Sequence, residues 1–143
     1  MYDRQARTLV LDTNVVLDWL VFRNPAAAPL VATLTDGGWR WYVTADMRAE
    51  LEQVLTYPSI NSWQPDCEAV WATWARWAVV VAAVPAALSA PLRCTDPDDQ
   101  KFIDLALQLG GATLLSRDRA VLKLARRARP LGVEILTPER WVP

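Results

Sequence analysis

Four carboxylates are spaced so that a folded chain of alternating strands and helices would bring them together. They are Asp12 in Val10-Leu11-Asp12-Thr13-Asn14, Glu50 in Arg48-Ala49-Glu50-Leu51, Asp99 in Asp96-Pro97-Asp98-Asp99-Gln100-Lys101-Phe102, and Asp118 in Leu115-Ser116-Arg117-Asp118. Like charges gathered in one place repel one another and need a cation to hold them. Oxygen ligands of this kind suit Mg²⁺ or Mn²⁺. A divalent ion held by carboxylates points to chemistry on phosphate groups.

Composition narrows the alternatives. The chain has no histidine, which excludes histidine general bases, Ser-His-Asp triads and His-ligated zinc. Cys67 and Cys94 form no metal-ligand spacing, and reduced thiols in a cytoplasm are the simpler expectation. There is no Gly-rich phosphate loop, so nucleoside-triphosphate chemistry has no support. A net charge of −1 argues against gripping nucleic acid by bulk electrostatics, but it leaves room for a local basic patch. Arg117, Arg119, Lys123, Arg126 and Arg127, with Arg129 beyond, either form a solvated face or contact a phosphate backbone beside the site.

The elements that must position these groups follow from the apolar pattern. With 143 residues, 52% of them hydrophobic, a single domain over 1–143 with one core is expected. Thr8-Leu9-Val10-Leu11 reads as a buried parallel strand, and the helix after it begins near Val15 with Thr13 or Asn14 as cap. Leu30, Val31 and Leu34 predict a short helix stopped at Gly37-Gly38. Residues 39–43 predict a second strand and 45–55 a helix capped by Thr44, with Met47, Leu51, Val54 and Leu55 inward, Glu50 nearer that face than Glu52, and Pro58 ending the segment. Pro65-Asp66 opens a helix to about Trp77. Val79-Val80-Val81 fits either a short strand or the end of that helix. Residues 85–94 predict a loop.

Asp96 then caps a helix with Pro97 in its first turn, running to Leu109 and stopped by Gly110-Gly111. A strand follows over 112–115, a basic helix over 119–128, a last strand over 133–136, and a turn or helix opened by Thr137-Pro138-Glu139. Strands alternating with helices predict a three-layer α/β/α sandwich around a parallel sheet, with the ligand site at the carboxyl ends of the strands. The polar start and the Pro-interrupted apolar run over 77–90 predict no signal core and no membrane span. The protein is expected in the cytoplasm. Eight tryptophans read first as packing and second as base-stacking surfaces.

Each carboxylate also has a plainer role open to it. Asp12 and Asp118 follow strands, where they serve as helix caps. Glu50 serves as a surface residue, and Asp98 complements the dipole of a helix N-terminus. Asp99 is the hardest to explain that way. It lines up on the helical wheel with Phe102, Ile103 and Ala106, and a carboxylate on a buried face is costly unless paired or bound to metal. Asp104 points away, toward solvent. Asn14 either shares the site or caps the helix, and Ser116 is placed to bond a water or a neighbouring carboxylate.

Taken in order, the four motifs resemble the signature of PIN-domain proteins, with the closest likeness to the toxins of toxin–antitoxin systems. That branch has a similar Asp-Pro-Asp-Asp run and a closing segment like Val133-Glu134-Ile135-Leu136-Thr137-Pro138. The resemblance covers nearly the whole chain and departs from the pattern in the Trp-rich stretch 63–77. It implies an α/β/α fold and a divalent-metal-dependent endoribonuclease. Asp12, Glu50, Asp99 and Asp118 would be the acidic residues, with Mg²⁺ or Mn²⁺ held by Asp12, Asp99 and Asp118, and Asn14, Ser116 and Asp98 in support. RNA would be the substrate, an antitoxin the partner, and self-pairing is in keeping with the family. Two readings compete with this one. In the first, Asp12 is a phosphate-accepting nucleophile of a phosphatase-like enzyme, although Asn14 stands where a second Asp is usual. In the second, the chain is a non-catalytic module that binds nucleic acid or protein through its tryptophans.

Overall fold

The computed structural model of the chain describes residues 6–83 and 92–143. Five parallel strands form one sheet: β1 (Arg7–Leu11), β2 (Trp39–Val43), β3 (Ala78–Val80), β4 (Thr113–Leu115) and β5 (Glu134–Leu136), in the order β3-β2-β1-β4-β5. In β1 the consecutive residues Leu9, Val10 and Leu11 are all buried. Successive side chains point to opposite faces, so both faces of the sheet must be covered. The helices provide that cover, and the architecture is the expected α/β/α sandwich. Helix α1 (Thr13–Leu20) packs on α3 (Ala45–Val54), α2 (Ala28–Thr35) on β2, and α6 (Gln100–Leu109) on β1 and β4. The short α7 (Arg119–Leu122) and α8 (Ala125–Ala128) pack on β5. Among the described residues no single helix is long and apolar enough to cross a membrane.

Strand order decides where a site can form. From β1 the sheet grows through β2 and β3 on one side and through β4 and β5 on the other. Chain connections therefore leave the carboxyl end of β1 and the carboxyl end of β4 in diverging directions, which opens a crevice between them. Register fixes the neighbours of that crevice. Leu11 lies opposite Leu115, the Asp12 amide donates to the Leu115 carbonyl at 3.0 Å, and the Ser116 amide donates to the Leu136 carbonyl at 3.0 Å.

Several expectations change. Residues 78–80 form β3, paired in parallel with Trp41, Tyr42 and Val43, so the undecided apolar run is a strand that starts directly after α5 (Cys67–Trp77). Pro58 opens a short helix, α4 (Pro58–Asn61), rather than closing one, as a proline at a first helical position can. The basic helix expected over 119–128 is two pieces. Its break follows from a tighter turn at Leu124, whose amide donates to the Val121 carbonyl three residues back, seating a fully buried Leu124. Helix α1 starts at Thr13 with Asp12 in the cap position, and neither Asp12 nor Thr44 caps through its side chain. Asp104 is half-buried and accepts from the Gln100 amide at 2.9 Å, so it is engaged rather than solvated. Most of the loop expected over 85–94 lies outside the described residues.

The tryptophans are mainly packing. Trp41 is fully buried, with edge-on contacts to Trp19 at 5.6 Å and Trp74 at 5.0 Å, and Trp74 meets Trp71 at 5.7 Å. The Arg48 guanidinium lies over the Trp71 ring at 4.2 Å. Such edge-to-face pairs add about 0.5–1.5 kcal/mol each beyond burial.

Candidate metal centre

Asp12 is delivered by the central strand β1 and stands just past its end, 3% exposed. Its Oδ2 accepts a hydrogen bond from the Ser116 hydroxyl at 2.6 Å. Ser116, fully buried, in turn accepts the Asp118 amide at 3.0 Å. One hydroxyl therefore ties the turn after β4 to the residue after β1. Asp118 caps α7 by accepting the Ala120 amide on Oδ1 at 2.9 Å. That uses one oxygen of a carboxylate that has two.

Asp99 enters from the segment before α6. Asp96 caps a 3₁₀ turn over Pro97–Asp99, accepting the Asp98 amide at 3.0 Å. That turn rotates Asp99 inward and Asp98 outward: Asp99 is buried and Asp98 exposed. One Asp99 oxygen, Oδ2, is buried without any hydrogen-bond partner. Oxygen atoms of Asp96, Asp99 and Asp118 all lie within 4.8 Å of one another.

Electrostatics record the same crowding. Burial pushes the Asp12 carboxyl from 3.8 up to about 6, opposed by the Ser116 hydrogen bond and assisted by the charges of Glu50 and Asp118. Burial also pushes Asp99 from 3.8 up to about 8, reinforced by its hydrogen bond to Asp118 and by the charges of Asp12, Asp118 and Asp96. Carboxyls driven up by burial and by one another lack a counter-charge. The orphaned Asp99 oxygen, the compact set of hard oxygen donors and this repulsion all fit a divalent cation.

The other expected site residues fall in distinct places. Glu50 sits at the rim. Its Oε1 accepts from the Thr13 hydroxyl at 3.1 Å and pairs with the Lys101 ammonium at 2.9 Å, outside the group of three aspartates. The Asn14 side-chain oxygen accepts the Arg117 amide at 3.3 Å, which braces the β4 turn. Arg117, expected on a nucleic-acid face, is held by ion pairs to buried Asp18 and, at 2.6 Å, to Glu139. That couples α1, the β4 turn and the carboxyl-terminal segment. Arg119, Lys123, Arg126 and Arg127 are exposed.

Asp96 is the residue that sequence reasoning did not assign to the site. It was legible only as a helix cap, and the Asp96-Pro97-Asp98-Asp99 spacing was the available signal. A cap residue and the third residue after it lie on one side of a tight turn.

A family model described as PIN domain matches residues 8–120, and the chain belongs to that family. Its members are typically nucleases. No curated protein matches the chain in sequence. Among solved structures, VapBC2 from Rickettsia felis, bound to a promoter DNA fragment, is similar with a TM-score of 0.64 at 13% identity. The match spans 90% of this chain and 98% of that one. At that identity the likeness speaks for the fold.

Proposed function

We propose that the protein is a divalent-metal-dependent endoribonuclease, the toxin of a toxin–antitoxin pair, working as a single domain over 1–143. The observation that carries the catalytic part is the convergence of Asp96, Asp99 and Asp118, with a buried Asp99 oxygen lacking a partner and the Asp12 charge near enough to act on Asp99. Asp99, Asp118 and Asp96 would hold Mg²⁺ or Mn²⁺, with Asp12 beside them. Such an ion supplies the Lewis acidity that activates water and neutralises charge building up on phosphoryl oxygens.

The chain's own residues set the stage for this chemistry. Ser116 fixes Asp12 in orientation and favours its ionised form at neutral pH. Glu50, held by Thr13 and Lys101, presents a carboxylate at the rim for orienting water. No protein nucleophile is required, in keeping with a chain that has no histidine. The antitoxin partner rests on the likeness to VapBC2, a toxin–antitoxin complex.

The test is cleavage of single-stranded RNA by purified protein in Mn²⁺. Asp12→Asn should bring cleavage below detection while the circular dichroism spectrum and the size-exclusion elution volume stay unchanged. An Asp12→Asn protein that cuts as fast as the parent would overturn the reading.

A further inference from the structure

An open cleft of about 650 Å³ lies beside the aspartates, with Glu50 on its inner wall. Its volume is within the range of about 300–1,000 Å³ typical of ligand clefts. The lining is unequally charged. Asp46, Glu50 and Asp98 are acidic, and Lys101 is the one cation among the lining residues. Its ammonium is fixed by the Glu50 carboxylate at 2.9 Å and by donation to the Asp98 carbonyl. A phosphate entering here is repelled along the acidic wall and is attracted only at Lys101, next to the aspartates.

The far wall is different. Tyr57 and Gln53 line it, and Tyr57 is 44% exposed. The other exposed large aromatic among the described residues, Trp63, rests edge-on against Phe22 at 4.8 Å, whereas Tyr57 is turned to the cleft. An uncharged aromatic and an amide lining the same cleft as a single cation offer stacking, hydrogen bonding and a phosphate contact to one nucleotide.

We propose that this cleft is a subsite for one unpaired nucleotide next to the bond that is cut. Tyr57 stacks on the base, Gln53 reads its edge through hydrogen bonds, and Lys101 holds its phosphate. The proposal rests on the ribonuclease reading for its substrate, but its own content is the assignment of Tyr57 and Gln53 as the residues that set base preference. A paired base cannot use the site, because stacking on Tyr57 requires a face that a duplex keeps covered.

The experiment is an abasic scan read by binding. A short single-stranded oligoribonucleotide, and versions with the base removed at one position at a time, are titrated into Asp12→Asn protein by fluorescence anisotropy. One position should lose about tenfold in affinity when its base is removed. In Asp12→Asn with Tyr57→Ala that penalty should vanish, and with Tyr57→Phe it should persist. Gln53→Ala in otherwise unaltered protein should change which base is preferred at the cut. Absence of binding, a penalty spread evenly over all positions, or a penalty untouched by Tyr57→Ala would overturn the subsite. Cleavage by the parent in Mn²⁺ is scored separately, so a failed subsite leaves the nuclease reading standing, and a failed nuclease reading is visible without the scan.

Discussion

The two ends of the sheet use their buried residues differently. At the amino ends of the strands, Trp39 and Trp141 pack edge-on at 5.3 Å and the Arg7 guanidinium lies over Trp39 at 5.5 Å. At the carboxyl ends, the buried residues Asp12, Thr13, Asp99 and Ser116 crowd charge and hydroxyl groups into one crevice. One end lowers the free energy of the fold through apolar contact. The other keeps carboxylates where desolvation and mutual repulsion oppose their ionisation. The comparison teaches that an unstable arrangement at one pole is tolerable because the other pole and the common core hold the strands in register.

The comparison breaks most sharply at Asp99. Asp99→Asn should reduce RNA cleavage below detection and yet raise the melting temperature of the metal-free protein at neutral pH. The sign follows from the shift. Asp99 has its folded value raised from 3.8 to about 8, so the folded state binds more protons than the unfolded state between those values. Its contribution to stability is full below about pH 4 and is lost as the pH rises toward about 8. Metal-free parent protein should therefore melt at progressively lower temperature over that window. Asp99→Asn should flatten the decline, and Mn²⁺ should offset it in the parent only. A parent melting temperature that climbs from pH 5 to pH 8 would contradict this picture.

The opposite pole should answer in the opposite way. Trp141→Ala should cost about 3–5 kcal/mol of stability in a denaturant titration, while the protein that remains folded cleaves RNA at the parental rate. The smallest effect is expected at Ser116, which belongs to the acidic pole but carries no charge. Ser116→Ala should lower Mn²⁺ affinity or activity by about 10- to 100-fold, the range for a residue that orients ligands. It should also move the acid limb of the pH–rate profile to higher pH, since the hydroxyl holds the Asp12 value down. An unmoved acid limb would detach Ser116 from Asp12.

These two poles were unequally legible in the sequence. The strands β1, β2, β4 and β5 announce themselves as short apolar runs closed by a polar residue or a turn, and α6 by a cap, a proline and a double glycine. Strand β3 does not, because the apolar run through Trp77, Ala78 and Val79 has no breaker between helix and strand, and only pairing with β2 decides it. For the site, helical periodicity of about 100° per residue separates Asp99 from Asp98, since burial on a wheel is a local property. The pairing of Arg117 with Asp18 and Glu139 joins residues distant in sequence. No local pattern announces such a pair, so a structural arginine looked like part of a basic face. Asp96 was hidden for another reason: its capping role is a sufficient account of its presence, although it leaves a carboxylate oxygen to spare.

The bridge at Ser116 also has a direction. Its oxygen accepts the Asp118 amide while its hydroxyl donates to Asp12 Oδ2. In that arrangement Oδ2 is engaged as an acceptor, and Oδ1 is the Asp12 oxygen that the bridge does not use. A backbone amide and a single hydroxyl at the end of one strand thus make two chemically equivalent oxygens on its neighbour inequivalent.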